Sequence, residues 1–136
     1  MNILFFLKPK NDIVFIYDYF TMRQALEKMK HHCFTAIPVI ERNGKYAGTL
    51  SEGDLLWAML EHEAFDKQTR ENFRVREILK GRQNTPVNVN ASIEDLFLMA
   101  RSQNFIPVTD DRGLFIGIVT RSDILSYYHR KMEHKD

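Results

Sequence analysis

Apolar residues recur along this chain in two rhythms, and the same succession of rhythms runs twice. Met22, Leu26 and Met29 stand at i, i+4 and i+7, and Ile93, Leu96, Phe97 and Ala100 repeat a helical stripe. Thr21 and Ser92 precede these stripes, where a helix N-cap belongs. Just upstream, Val14-Phe-Ile-Tyr17 and Val87-Asn-Val89 have strand composition. Downstream, Ala36-Ile-Pro-Val-Ile40 and Phe105-Ile-Pro-Val108 predict short strands, with each proline near the strand start, where a missing N–H is tolerable. Asn43-Gly44 and Arg112-Gly113 are turn signals, and Tyr46 to Leu50 and Leu114 to Val119 return as the second arms of hairpins. A last helix is predicted to start at Ser51 and at Thr120. The order is β-α-β-β-α, twice, which predicts an α+β fold.

The repetition extends to individual residues. Gly48-Thr-Leu-Ser-Glu-Gly-Asp54-Leu recurs as Gly117-Ile-Val-Thr-Arg-Ser-Asp123-Ile, 69 positions later. The same offset superposes Pro38 on Pro107 and Gly44 on Gly113, whereas Thr21 to Met29 match Ser92 to Ala100 at an offset of 71. The second copy therefore lacks two residues just before Asn104. Leu55 to Leu79 join the copies without low-complexity sequence, and their apolar positions predict structured helix. We divide the chain into residues 1–66, a first repeat with its entry segment, and 67–136, a linker helix and second repeat.

Composition narrows the class. Apolar residues make up 44% and charged residues 27%, an ordinary globular balance. A half of about 60 residues buries little surface alone, so the halves are expected to share a core. Nineteen basic residues against eighteen acidic give a net charge of +1, which recommends neither nucleic acid nor an anionic membrane as partner. The apolar opening Met1 to Leu7 is too short to span a bilayer and does not resemble a secretory leader. One cysteine, Cys33, excludes an internal disulfide and fits a cytoplasmic location.

Ala36-Ile-Pro-Val39 and Phe105-Ile-Pro-Val108, followed by Gly48-x-x-Ser51-x-x-Asp54 and Gly117-x-x-Thr120-x-x-Asp123, resemble tandem cystathionine-β-synthase (CBS) domains, the paired arrangement called a Bateman module. The resemblance covers almost the whole chain. It implies two pseudo-symmetric repeats, two composite clefts between them, an adenine-containing ligand such as AMP, ADP, ATP, S-adenosylmethionine or cyclic di-AMP, and a homodimer. It further implies a stand-alone sensor that signals to an unknown protein partner through conformational change.

An aspartate carboxylate can accept both hydroxyls of a ribose, and a hydroxyl three residues earlier can face sugar or phosphate at a helix N-terminus. Between these residues the first copy has Glu52-Gly53 and the second Arg121-Ser122, and arginine attracts phosphate where glutamate repels it. The stronger cleft is therefore expected at Asp123, Thr120 and Arg121. Family resemblance adds Ile118, Phe34, Thr35, Ala36, Lys8 and Lys10 to it. The weaker cleft would contain Asp54, Ser51, Thr49, Asn104, Phe105, Lys80 and Arg82, with the two-residue shortening falling in its lining and Phe105 filling it.

Ser-x-x-Asp and Thr-x-x-Asp before an apolar run are also near relatives of a helix capping box, which needs no ligand. The rival reading follows: a dimeric interaction module whose aspartates only cap helices. Adjacent His31, His32 and Cys33 point apart on a helix, so no metal site is expected. Trp57, Met59 and Leu60 read as core or dimer contacts. Cys33 lacks an orienting Asp or Asn at recognisable spacing, and no glycine-rich phosphate loop appears, so neither an enzyme nor a catalytic cofactor is expected.

Overall fold

A computed structural model describes residues 2–63, 66–79 and 84–134. The chain is α+β and divides into two compact units, residues 14–83 and residues 1–13 with 84–136. This interleaved division differs from a cut at 66/67. Each unit holds one repeat together with the segment that precedes the other.

In the unit of residues 14–83, strand β2 (Ile16–Tyr17) leads to helix α1 (Met22–His32), then to β3 (Ala36–Ile40), β4 (Tyr46–Ser51) and helix α2 (Glu52–Glu61). β2 runs parallel to β3, and β3 pairs antiparallel with β4. Thr21 caps α1 with a complete capping box shared with Gln24. The helix ends at Cys33, whose backbone is left-handed at φ 57°. Short helices α3 (Lys67–Glu71) and α4 (Val75–Ile78) complete the unit. Residues 73–76 are stitched alongside 18–22 by Met22 N–H to Phe73 O, Val75 N–H to Phe20 O and Arg76 N–H to Asp18 O, at 2.8 to 2.9 Å.

The second unit repeats the plan. Strand β5 (Val87–Asn88), helix α5 (Ile93–Ala100), strands β6 (Phe105–Thr109) and β7 (Phe115–Thr120), and helix α6 (Arg121–Glu133) follow in order. Here the entry strand β1 (Lys8–Pro9) adds antiparallel to β7, giving the order β1-β7-β6-β5. Gly117 makes this possible: a Cβ there would collide with the Lys8 carbonyl and stand 2.9 Å from Leu7 Cδ1.

The prolines sit at the third position of β3 and β6 rather than at the start. Parallel pairing begins only at Val39 and Val108, immediately after each proline, where a backbone N–H is available again. The shortening of the second copy falls where its helix is also shorter, α5 having 8 residues against 11 in α1.

Among the described residues apolar burial forms two clusters, one in each unit. Ile16, Met22, Ile37, Val39 and Leu50 pack with Val75 and Ile78, while Val87, Leu96, Ile106, Val108 and Val119 pack with Ile3 and Phe6. Both borrowed pairs are spaced i, i+3 on one helical face. At about 25 cal/mol per Å² of apolar surface, each inserted side chain contributes roughly 1.5–3 kcal/mol. A small unit thereby completes its core with side chains from outside its own repeat.

Candidate functional site

The chemistry of this fold gathers where β7 becomes α6. Thr120 is extended at φ −95° and ψ 146°, and its hydroxyl accepts the Asp123 backbone N–H at 3.1 Å. Asp123 does not return the bond. Its carboxylate Oδ2 instead lies 3.5 Å from Lys8 Nζ, with the two side chains 40% and 50% exposed. Lys8 is held there by register, since it pairs with Ile118 across the β1–β7 ladder. Phe5, Phe6, Leu7, Lys8, Asp123, Ser126, Tyr127 and Arg130 line a groove of about 420 Å³. Carboxylate acceptors beside an ammonium and a hydroxyl suit a polyhydroxylated, anionic ligand.

The corresponding motif in the other unit is organised differently. Ser51 Oγ accepts Asp54 N–H at 3.1 Å, and Asp54 Oδ2 accepts Ser51 N–H at 2.9 Å, so this capping box is complete. Asp54 is buried. Thr49 is fully buried too, with its hydroxyl 2.7 Å from that of Tyr46. Ala36 pairs with Ser51, and Glu52 N–H donates to Thr35 O at 2.9 Å, so Thr35 and Ala36 adjoin the hydroxyl of their own repeat. Phe34 stacks on His32 with centroids 5.3 Å apart. Phe34, Thr35, Cys33 and Glu52 share a separate, mostly apolar groove of about 520 Å³ with Leu26, Met29, Leu55, Leu56 and Met59.

Of the residues expected with Asp123, Lys8 pairs with it, Thr120 caps its helix and Ile118 stands opposite Lys8 in the β1–β7 ladder, whereas Phe34, Thr35 and Ala36 belong to the other unit. Lys10 starts the 3-10 turn Lys10–Asp12 beyond β1 and does not line the Lys8 groove. Arg121 Nε donates to Ala100 O at 2.8 Å, in an adjoining groove lined by Asn104, Ser122, Leu125 and His129, whose border with the Lys8 groove is formed by Ser126 and Arg130. Its attraction for phosphate beside Asp123 therefore has no support in this geometry.

Asn104 and Phe105, expected beside Asp54, lie in the Asp123 unit. Asn104 Oδ1 accepts Phe105 N–H at 3.0 Å and Asn84 Nδ2 at 3.3 Å, and Asn84 also donates to Phe105 O at 2.9 Å. Phe105 is buried. Lys80 and Arg82 fall outside the described residues. Among those described, no group of three or more His, Cys, Asp or Glu side chains could hold a metal. Sequence reasoning missed Ser126, Tyr127, Arg130 and the buried Asn84. The first three were accessible as the helical stripe i+3, i+4 and i+7 from Asp123, whereas Asn84 carries no local signal.

Comparison with known proteins accords with the duplicated plan. The pattern of the CBS domain family matches residues 7–61 and again 75–130. A crystal structure of CbpB in complex with c-di-AMP superposes with a TM-score of 0.88 at 22% identity, covering 98% of this chain and 87% of that one. CBSX2 in complex with AMP gives 0.74 at 23% identity, covering 96% and 98%. L-aspartate semialdehyde sulfurtransferase of Methanocaldococcus jannaschii is 25% identical over 104 residues, 76% of this chain. The chain spans 19% of that enzyme's length.

Proposed function

Because the chain belongs to the CBS domain family, with two copies of the domain, we propose that it is a regulatory module that binds an adenine nucleotide beside Asp123 and signals by a change of conformation. One observation carries the choice of site. Asp54 is buried and committed to its capping box, whereas Asp123 leaves its carboxylate half-exposed, next to Lys8, with acceptors open to ribose hydroxyls. Thr120 and Lys8 would face the first phosphate. The ligand class is supported by the AMP and c-di-AMP complexes of CBSX2 and CbpB. A ligand shifts conformation only through unequal affinity for two states, so signalling requires an arrangement that the nucleotide binds better.

A regulatory role is preferred to catalysis, since the sulfurtransferase is named for a protein five times as long as the matched stretch. Among the described residues no helix is long and apolar enough to cross a membrane. We place the module in the cytoplasm, where adenine nucleotides are available.

Titration calorimetry with AMP, ADP, ATP, c-di-AMP and S-adenosylmethionine tests the reading. At least one is expected to bind, and Asp123→Ala to abolish or strongly weaken that binding. Silence across the panel at millimolar concentration would overturn it.

A second reading has its own support. Leu56, Trp57 and Leu60 on α2, and Leu125, Tyr128 and Met132 on α6, are large apolar side chains left exposed. Such faces suit self-association or a protein partner, and a homodimer accommodates both readings.

A further inference from the structure

Beyond Asp123, α6 carries more polar chemistry than its packing requires. Asp123, Ser126, Tyr127 and Arg130 stand at i, i+3, i+4 and i+7, so they share one helical face, and all four line the groove walled by Phe5, Phe6 and Leu7. Lys131 Nζ lies over the Tyr127 ring, 6.0 Å from its centroid. Lys8, Arg130 and Lys131 thus set three cations against one carboxylate in a chain whose net charge is only +1. The Arg130 guanidinium has no ion-pair partner among the described residues.

The internal repeat supplies a control. Displaced by 69 positions, Ser126, Tyr127 and Arg130 correspond to Trp57, Ala58 and Glu61 on α2. The helix after the committed Asp54 has an apolar stripe ending in an acid, whereas the helix after the open Asp123 has a polar stripe ending in a base. Packing accounts for Tyr127, whose ring lies 5.5 and 5.3 Å from those of Phe5 and Phe6, as it does for the buried Ala58, but not for Arg130 in place of Glu61.

Resting on the reading of Asp123 as the ribose site, we propose that this stripe holds the outer phosphates of a nucleoside di- or triphosphate, and that Arg130 selects polyphosphates over a monophosphate. Seven residues of α-helix separate Asp123 from Arg130 by about 10 Å. Long helical side chains lean toward the N-terminus, which brings the guanidinium back over Ser126. A monophosphate ends beside Lys8, while a longer chain continues along this face to the arginine. The planar guanidinium suits bidentate contact with phosphate, and the Ser126 hydroxyl adds a neutral donor. The Phe6 and Leu7 wall keeps water from one side, lowering the effective dielectric and strengthening the charge interaction. A cation near the C-terminus of α6 also complements the helix dipole, but that role acts on stability and not on ligand choice.

Calorimetry with AMP and ATP on wild type, Arg130→Gln, Arg130→Lys and Asp123→Ala, with thermal melts of each, tests this. Wild type is expected to favour ATP over AMP by about tenfold or more, the scale of one charge-assisted contact. Arg130→Gln is expected to remove most of that preference, and Arg130→Lys to keep part of it. An unchanged preference in Arg130→Gln, or a wild type that favours AMP, overturns the polyphosphate subsite alone, provided Asp123→Ala still weakens both nucleotides. Failure of wild type to bind either nucleotide overturns the subsite together with the ribose site. A change confined to melting temperature reduces Arg130 to a helix-terminal charge and also overturns the proposal.

Discussion

Two aspartates in matching motifs do different work because their carboxylates meet different surroundings. Asp54 closes a reciprocal box with Ser51, and removing its carboxylate leaves the Ser51 N–H without its acceptor. Asp54→Ala is therefore expected to cost about 1–3 kcal/mol in urea denaturation. Asp123 accepts no bond from the Thr120 N–H, and its partner is an exposed lysine. Exposed ion pairs contribute about 0–1 kcal/mol, so Asp123→Ala is expected to change stability little while removing nucleotide binding. In the sequence, Arg121 against Glu52 points to a stronger second cleft. The structure instead places Arg121 on the Ala100 carbonyl and moves the contrast to capping geometry, which no spacing rule distinguishes.

At the scale of elements, the entry strand and the tight turns govern whether the Asp123 site assembles. Lys8 reaches Asp123 only because β1 lies against β7 at Gly117, whose φ of +156° and close approach leave no room for a Cβ. Gly117→Ala is expected to lower stability by about 1–3 kcal/mol, measured by denaturation, and to weaken nucleotide binding by displacing Lys8. The β6–β7 turn offers a pH test. Asp110 Oδ1 accepts the backbone N–H groups of Leu114 at 3.0 Å and Arg112 at 2.9 Å. These bonds, that to Leu114 foremost, and the Arg112 charge hold the carboxyl below its ordinary range. A lowered native pKa means that the ionised form stabilises the fold above the unfolded value and that this contribution disappears as pH falls through the native one. The stability gap between wild type and Asp110→Asn is thus expected to be full at neutral pH and to close below about pH 4. Helices, hairpins and N-caps were legible from periodicity and side-chain type. The two-residue shortening before Asn104 was legible as a gap, and its form as a helix three residues shorter followed from α1 continuing to His32, with Cys33 as its cap.

On the scale of the whole molecule, two small units each complete a core with a segment lying before the other repeat. The apolar positions Ile3, Phe6, Val75 and Ile78 are visible in the chain, but the core each one enters is not. The exposed apolar faces of α2 and α6 carry the associated prediction. Ultracentrifugation at micromolar concentration is expected to find a dimer, and Trp57→Glu together with Leu125→Glu to shift it toward monomer without unfolding either unit. A bound nucleotide is also expected to raise the melting temperature with concentration, since a ligand specific for the native state stabilises by about 2.7 kcal/mol at a hundred times its Kd.

Sequence by itself determined the duplicated β-α-β-β-α order, the family, the caps and the pair of Asp motifs, because these depend on residue type at short, regular spacing. Tertiary structure alone decided the exchange of entry segments, the meeting of Lys8 with Asp123, and the alignment of Phe5 to Leu7 with the Asp123 to Arg130 stripe. The contacts of Lys8 and of Phe5 to Leu7 join residues more than a hundred positions apart, and residues 73–76 reach back to 18–22; over such separations a strand ladder and a glycine without a side chain, rather than local propensity, dictate which groups meet.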